Sequence, residues 1–191
     1  MEQAVIIAGF GGQGILFAGK VLARAAMSEE REVLWIPSYG PEMRGGTASC
    51  TVILGDEPIG SPVVDRADAA VVLNLPSHAK FAPRVAPGGL LVVNETLVGE
   101  STARTDIVEM RIPCTRLAKD AGDDSLVSVV ALGALVGYLR LVRPASVRNA
   151  IKETVGAKRI EVLAADLAAF DVGYRVGARG RPQHAGIAIP A

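Results

Sequence analysis

The chain has 191 residues, of which 50% are hydrophobic and 21% charged, and its 20 basic residues balance 20 acidic ones. This length and composition suit one domain core, and zero net charge with scattered basic residues argues against nucleic acid or an anionic membrane as a partner. The two cysteines, Cys50 and Cys114, stand apart, so the chain by itself cannot hold an iron-sulfur cluster or a structural zinc ion.

Apolar, β-branched runs alternate with segments of helical periodicity through the first part of the chain. The alternation predicts an α/β fold with a doubly wound, mostly parallel sheet of the Rossmann-like kind. The second of its strands is expected to be ended by Pro37. The predicted strands cover residues 3–9, 32–36, 47–54, 68–75, 88–95 and 105–113.

Between the first two strands, residues 15–27 place their apolar side chains along one stripe, which predicts an amphipathic helix. From Thr115 onward the chain turns helical. We expect one domain over residues 1–176 and a mobile tail over residues 177–191, which lack periodicity. No apolar stretch reaches the roughly 20 residues that span a bilayer, so we expect a cytoplasmic protein. Further helices are predicted at residues 76–85, 115–122, 125–141, 144–156 and 159–174.

The stretch GFGGQG lies between the first predicted strand and the first predicted helix. Gly9, Gly11 and Gly14 match GxGxxG, whose glycines let a backbone approach a phosphate at a helix N-terminus. A dinucleotide fold also needs an acidic residue near the end of its second strand, yet that region reads LWIPSYG and Glu32 lies at the other end. Two interpretations stay open: an anion-binding loop, or a tight turn that serves packing alone.

A second unusual stretch, SYGPEMRGG, follows the second predicted strand. Because loops after parallel strands meet at one edge of a sheet, we expect it to lie beside the glycine loop. Arg44 suits a carboxylate or phosphate and Tyr39 offers a flat apolar face; the alternative is that Arg44 is solvated or pairs with Glu42. We interpret His78 as a helix surface residue, and no catalytic residue is predicted.

Together the two loops are similar to the gamma subunit, or gamma domain, of the 2-oxoacid:ferredoxin oxidoreductases. The resemblance extends from about Ala4 to Tyr174 and includes LNLPS, LGAL and AFDVG. Many members carry an asparagine-containing LGN turn ahead of LGAL, where this chain reads AGDDSLVSVVALGAL. The resemblance transfers the family's loop positions to Gly9, Gly11, Gly12, Gln13, Gly14, Tyr39, Gly40, Pro41, Glu42, Arg44, Gly45 and Gly46, as loops that face a cofactor or the partner subunits.

The resemblance implies an accessory subunit of a multisubunit enzyme that oxidatively decarboxylates a 2-oxoacid to an acyl-CoA. It implies that thiamine diphosphate, magnesium, CoA and iron-sulfur clusters belong to alpha, beta and ferredoxin-like delta partners, with ferredoxin as acceptor and no cofactor on this chain alone. The isolated subunit would form a homo-oligomer through its vacant interface. Pyruvate, 2-oxoglutarate, branched-chain 2-oxoacids such as ketoisovalerate, and indolepyruvate all stay open as substrates. The alternatives are a free-standing nucleotide-binding domain and a scaffold without a ligand.

Overall fold

The computed structural model describes residues 1–39, 47–156 and 160–181. Within them, six strands form one sheet in the order β2-β3-β1-β4-β5-β6. The strands are β1 (Glu2–Phe10), β2 (Glu32–Tyr39), β3 (Thr47–Gly55), β4 (Ala67–Val72), β5 (Val85–Asn94) and β6 (Val108–Ile112). The helices are α1 (Ile15–Met27), α2 (Leu75–Phe81), α3 (Cys114–Asp120), α4 (Val127–Leu139), α5 (Pro144–Val155) and α6 (Ile160–Gly180).

The sheet is mixed, with one strand against the direction of the other five. β1 runs parallel to β4, and β4, β5 and β6 continue in the same direction. β3 is antiparallel to both β1 and β2, between which it lies. The predicted α/β class, the mostly parallel sheet and the helical C-terminal part are confirmed, while the reversed β3 was not foreseen.

β2 does not end at Pro37, so that prediction is wrong. The strand continues to Tyr39, and Pro37 pairs in register with Cys50 of β3. β2 is the outer strand of the sheet and has a neighbour on one side only. Because proline's missing N–H costs no ladder bond on the open side of an edge strand, the chain extends through it.

The two faces of the sheet are covered unequally. Along β1, Val5 and Ile7 belong to the larger hydrophobic cluster, whereas Ile6 faces the smaller one. The larger cluster includes residues of α1, α3, α4, α5 and α6, and the smaller one includes Phe81 of α2. α4 is buried on nearly every side because α6 covers it from outside. No helix in the described ranges combines the length and apolarity that crossing a membrane requires.

The last helix is longer than the sequence pattern predicts. α6 was expected to end at Tyr174 and the tail to begin at Gly177, but the helix runs to Gly180. Gly177 is buried against Ala134 of α4, so packing on α4 keeps this turn helical. The rest of the predicted tail, residues 182–191, lies outside the described residues, and the division into one domain and a tail stays a prediction.

Candidate functional site

The glycine loop joins the end of β1 to the start of α1 and closes on itself through Gln13. The Gln13 N–H donates to the Phe10 carbonyl at 3.2 Å, and the Gln13 side-chain Oε1 accepts from the Phe10 N–H at 2.7 Å. Gly12 and Gly14 have φ angles of +96° and +76°, in the region that favours glycine. The glutamine of the motif therefore has a definite structural role, which the sequence pattern does not disclose.

Close packing explains two of the loop's glycines. A Cβ at Gly9 would lie 2.5 Å from the Gln13 Oε1 and 2.8 Å from the Ile15 Cδ1. A Cβ at Gly14 would lie 2.6 Å from the Ser128 Oγ of α4. The tight-turn interpretation therefore holds for the buried side of the loop. Gly11 and Gly12 are exposed, so the open side of the loop faces outward.

The amino terminus of α1 is open to an anion. Gly14 is its N-cap residue, no side chain among the described residues caps it, and its first turn holds no acidic residue. The first helical hydrogen bond is donated by the Ala18 N–H to the Gly14 carbonyl at 3.0 Å. The N–H groups in the first turn of α1, ahead of Ala18, make no helical hydrogen bond and carry the positive end of the helix dipole. This end of the helix stabilises phosphate or carboxylate groups.

The second loop begins and ends at the same edge of the sheet as the glycine loop. Gly9 pairs with Ala48 of β3, and Ala48 pairs with Tyr39 of β2. The ends of β2 and β3 that flank the second loop therefore lie at the edge that carries the glycine loop, while contact between the two loops stays a prediction. The predicted site residues Gly40, Pro41, Glu42, Arg44, Gly45 and Gly46, together with the side chain of Tyr39, lie outside the described residues.

A groove of about 560 Å³ lies along the glycine loop and the first turn of α1. Its volume falls in the range of small-molecule sites. No titratable side chain is among its described lining residues, so they offer apolar contact and backbone N–H donors but no acid or base. Sequence reasoning missed five of these lining residues, Phe10, Ile15, Leu16, Phe17 and Ala48. The described lining consists of Phe10, Gly11, Gly12, Gly14, Ile15, Leu16, Phe17 and Ala48.

The sheet order explains why the second half of the dinucleotide fingerprint is missing. In a dinucleotide fold the strand bearing the ribose-binding acid lies next to the glycine-loop strand. Here β3 separates β1 from β2. Glu32, at the start of β2, pairs with Gly55 at the far end of the sheet. The geometry thus agrees with the sequence evidence against a nicotinamide or flavin dinucleotide.

Elsewhere in the part of the chain that the structure describes, the titratable side chains show no catalytic pairing. His78 is 7% exposed, so its prediction as a surface residue is wrong: α2 packs its inner side on the smaller hydrophobic cluster. The His78 Nε2 has no hydrogen-bond partner among the described residues. Burial raises the pKa of the thiols of Cys50 and Cys114 to about 12, which keeps them protonated. Within residues 1–39, 47–156 and 160–181, no three His, Cys, Asp or Glu side chains gather as metal ligands.

Asp123 is an acidic group at a helix start. Its carboxylate accepts from the Ser125 N–H at 2.7 Å, ahead of α4. This backbone hydrogen bond, together with one from the Ser125 hydroxyl, lowers the pKa of Asp123. The carboxylate is therefore ionised at neutral pH.

Comparison with known proteins places these features in a family context. The family model described as pyruvate ferredoxin/flavodoxin oxidoreductase matches residues 4–176. The chain is 42% identical to the ketoisovalerate oxidoreductase subunit VorA of Methanothermobacter thermautotrophicus, over 82% of this chain and 33% of that protein. It is 36% identical to the 2-oxoglutarate synthase subunit KorC of Methanocaldococcus jannaschii, over 92% and 94%. The chain thus spans about a third of VorA but nearly all of KorC.

Two solved structures share the fold. The gamma subunit of a keto/oxoacid ferredoxin oxidoreductase from Geobacter sulfurreducens superposes with a TM-score of 0.84 at 26% identity, over 95% of this chain and 99% of that one. A 2-oxoglutarate:ferredoxin oxidoreductase from Magnetococcus marinus, with 2-oxoglutarate, coenzyme A and succinyl-CoA bound, also gives 0.84 at 25% identity, over 93% and 31%. The mixed sheet and the helical C-terminal part are therefore features that this chain shares with solved proteins.

Proposed function

We propose that this chain, which belongs to the pyruvate ferredoxin/flavodoxin oxidoreductase family, is the gamma subunit of a 2-oxoacid:ferredoxin oxidoreductase complex. The observation that carries the proposal is the family match across residues 4–176, supported by the near full-length match to KorC. Such a complex decarboxylates a 2-oxoacid oxidatively to an acyl-CoA and passes the electrons to ferredoxin. The chain is an accessory subunit, inactive alone, and works in the cytoplasm.

The chemistry of the described residues supports a binding role for this subunit. The groove beside the glycine loop supplies apolar walls and backbone N–H groups, neither of which transfers protons or electrons. In the proposal, thiamine diphosphate, magnesium and the iron-sulfur clusters are held by alpha, beta and ferredoxin-like delta partners. In the proposal, the partner subunits also select the 2-oxoacid substrate. The relatives' names include both ketoisovalerate and 2-oxoglutarate, and the proposal is compatible with either.

The two loops are proposed to face the partner subunits and to contact the phosphates of CoA. The open amino terminus of α1 favours an anion, and the strand ends at Tyr39 and Thr47, which flank the second loop, lie at the same edge of the sheet. A guanidinium group binds phosphate through two parallel hydrogen bonds, which makes Arg44 the proposed phosphate contact. Gln13 keeps the glycine loop closed through its hydrogen bond with the Phe10 N–H.

The test is to co-express the chain with candidate alpha, beta and delta proteins from the same genome, and to assay CoA-dependent reduction of a viologen dye by each 2-oxoacid. Arg44→Ala is expected to raise the KM for CoA about tenfold, the loss of one charge-assisted contact worth about 1.4 kcal/mol. Arg66→Ala is the matched control, because Arg66 is exposed and precedes β4 at the opposite edge of the sheet.

Failure to co-purify with those partners would contradict the proposed role as a subunit. An unchanged KM for CoA in Arg44→Ala would contradict the proposed contact with CoA. A thermal-shift series on the isolated chain with NAD, FAD, ATP and CoA tests the nucleotide-binding alternative. Stabilisation grows with ligand concentration over Kd, so a clear shift with NAD or FAD alone would favour a free-standing nucleotide-binding domain.

A further inference from the structure

A second pocket lies on the other side of the glycine loop, between α1, α4, α5 and α6. Its volume is about 350 Å³, at the lower end of the small-molecule range. Apolar side chains form most of its walls, among them Phe17 of α1, Val129 of α4 and Val162 of α6. No role proposed above for the glycine loop uses this space.

Asp166 of α6 lines this pocket and is the feature that requires explanation. It is only 4% exposed, and among the described residues no hydrogen bond or ion pair satisfies its carboxylate. The carboxylate oxygens are not fully enclosed and reach the pocket, where a negative charge among apolar walls and without a protein partner is unfavourable. Thr154 at the end of α5 also lines the pocket, and its buried hydroxyl has no hydrogen-bond partner among the described residues.

The charge in the pocket is negative. Asp123 and Asp166 are the two charged residues among the described residues that line it. Burial, and second the charge of Asp123, raise the pKa of Asp166 to about 6. At neutral pH both carboxylates are mostly ionised, so the pocket carries the buried negative charge of Asp166 and the exposed negative charge of Asp123.

These features select an organic cation over a metal ion. Hard cations such as calcium take six to eight oxygen ligands, whereas two carboxylates supply at most four and the apolar walls add none. An alkyl chain ending in a cation matches apolar walls around the buried Asp166 carboxylate. A guanidinium group suits the site better than an ammonium group, because it is planar, weakly hydrated and able to stack on Phe17.

We infer that this pocket is a second binding site, which takes an alkylguanidinium group, such as an arginine side chain, with Asp166 as its counter-ion. The guanidinium donates to Asp166 and to Asp123, while its methylene groups lie along the apolar walls. Gly14 and Phe17 line both this pocket and the groove, so the ligand lies next to whatever the glycine loop binds. Where the arginine belongs to a partner subunit, the inference rests on the proposed function.

The first experiment uses the stability of the isolated full chain. Asp166→Asn removes the uncompensated charge without changing the side-chain shape, so it is expected to raise Tm by about 3 °C. The gain should be larger at pH 8 than at pH 5, because at pH 5 the folded wild type already carries the proton on Asp166. Asp124→Asn, an exposed control that pairs with Lys119, should leave Tm unchanged. A lower Tm in Asp166→Asn would indicate a structural role and overturn the inference.

The second experiment titrates the chain with N-acetylarginine methylamide by calorimetry. One probe should bind per chain, and the affinity should rise about tenfold between pH 5 and pH 7 as Asp166 ionises. Asp166→Asn should weaken binding at least about tenfold, the effect of one lost charge-assisted contact. The uncharged isostere N-acetylcitrulline methylamide should not bind, and Asp124→Asn should bind as the wild type does. No binding, or binding that Asp166→Asn leaves unchanged, would overturn the inference.

The source of the guanidinium is separated by repeating the titration on the assembled complex. Exclusion of the probe identifies an arginine of a partner subunit, and retained binding identifies a free small molecule; both results keep the inference. A Lys158→Gln/Arg159→Gln variant that binds the probe about tenfold tighter would overturn it, since the chain's own cations would then be the ligand. Because probe binding is measured on the isolated chain, it can succeed where assembly fails, and the two proposals fail separately.

Discussion

Glycines occur for different reasons in two regions of this protein, the glycine loop and the contact between α4 and α6. In the loop, Gly12 and Gly14 adopt positive φ angles that other residues reach only with strain. In the helices, the glycines have ordinary helical backbones, but the two helices approach until main-chain atoms touch. The role of the loop glycines can be predicted from the local sequence alone. The role of the helix glycines can be predicted only when it is known which helices pack together.

The helix contact is the less forgiving of the two. A Cβ at Gly173 of α6 would overlap the Val130 carbonyl, and one at Gly177 would overlap the Ala134 carbonyl of α4. Gly133 and Gly137 of α4 face α6 backbone in the same way. Because these neighbours are main-chain atoms of a buried helix, they cannot rotate away, so any added carbon must push the helices apart.

The largest effect is expected from Gly173→Ala. Separating α6 from α4 should lower the free energy of unfolding by about 4 kcal/mol, as overpacking of a rigid contact does, measured by urea denaturation. Gly180→Ala is the matched control on the same helix, because its new Cβ would meet only the flexible end of Met110 at 3.2 Å. Equal stability of the two variants would show that the helix contact tolerates a methyl group and would break the comparison.

Gly14→Ala is expected to give the next largest loss of stability, because a positive φ and close packing both act at this position. The positive φ and the 2.6 Å approach to the Ser128 Oγ should together lower the free energy of unfolding by about 2 to 3 kcal/mol. Adding Ser128→Ala should recover only the packing part, which a double-mutant cycle measures. Full recovery would mean that backbone strain contributes nothing at this position.

Gly12→Ala isolates backbone strain, because no described residue lies within 4 Å of the new Cβ. We expect a loss of about 1.5 kcal/mol from the positive φ alone, measured by thermal unfolding. Gly60→Ala is the control: its Cβ also enters open space, but its φ is not positive, so its stability should be unchanged or slightly higher. A Gly12→Ala variant as stable as Gly60→Ala would contradict the assigned role of φ.

Gln13→Ala is expected to have the smallest effect on stability, about 1 kcal/mol for the lost hydrogen bond to the Phe10 N–H. Gln13→Glu keeps the accepting oxygen and should retain most of the stability.

The two regions should also differ in the property that their variants change. Loop variants should lower the activity of the assembled complex, whereas helix variants should lower the amount of folded chain. Activity unchanged in Gln13→Ala would show that loop closure is not needed for function.

Much of the fold was predictable because its signals are local. The apolar stripe of α1 gave its bounds, 15–27, and the run of β-branched residues at β3 gave that strand. His78 and Pro37 were misread for a common reason. Each depends on its neighbours across the fold: α2 packs inward on the smaller hydrophobic cluster, and β2 is an outer strand with one free side.

The candidate site divides in the same way. GFGGQG and SYGPEMRGG indicated the family and the edge of the sheet at which the site lies from the sequence alone. Their glycine and proline residues specify a loop locally, directly after a predicted strand. The closure of the loop by Gln13 also lies within four residues, yet needed coordinates because a side-chain rotamer decides it. Phe17 and Ala48 were missed in the groove because they carry no chemical signature and belong to the site only through position.

The sequence by itself determined the order of elements, the glycine turn and the family, because hydrophobic period and turn chemistry act over a few residues. Only the tertiary structure decided that β3 lies reversed between β1 and β2, that α4 and α6 touch through glycine, and that Asp166 is buried beside Asp123 without a partner among the described residues. The contacts of β1 with β3, of α4 with α6 and of Asp123 with Asp166 join residues about forty positions apart, whose distance in space is set by how the whole core packs rather than by any local pattern.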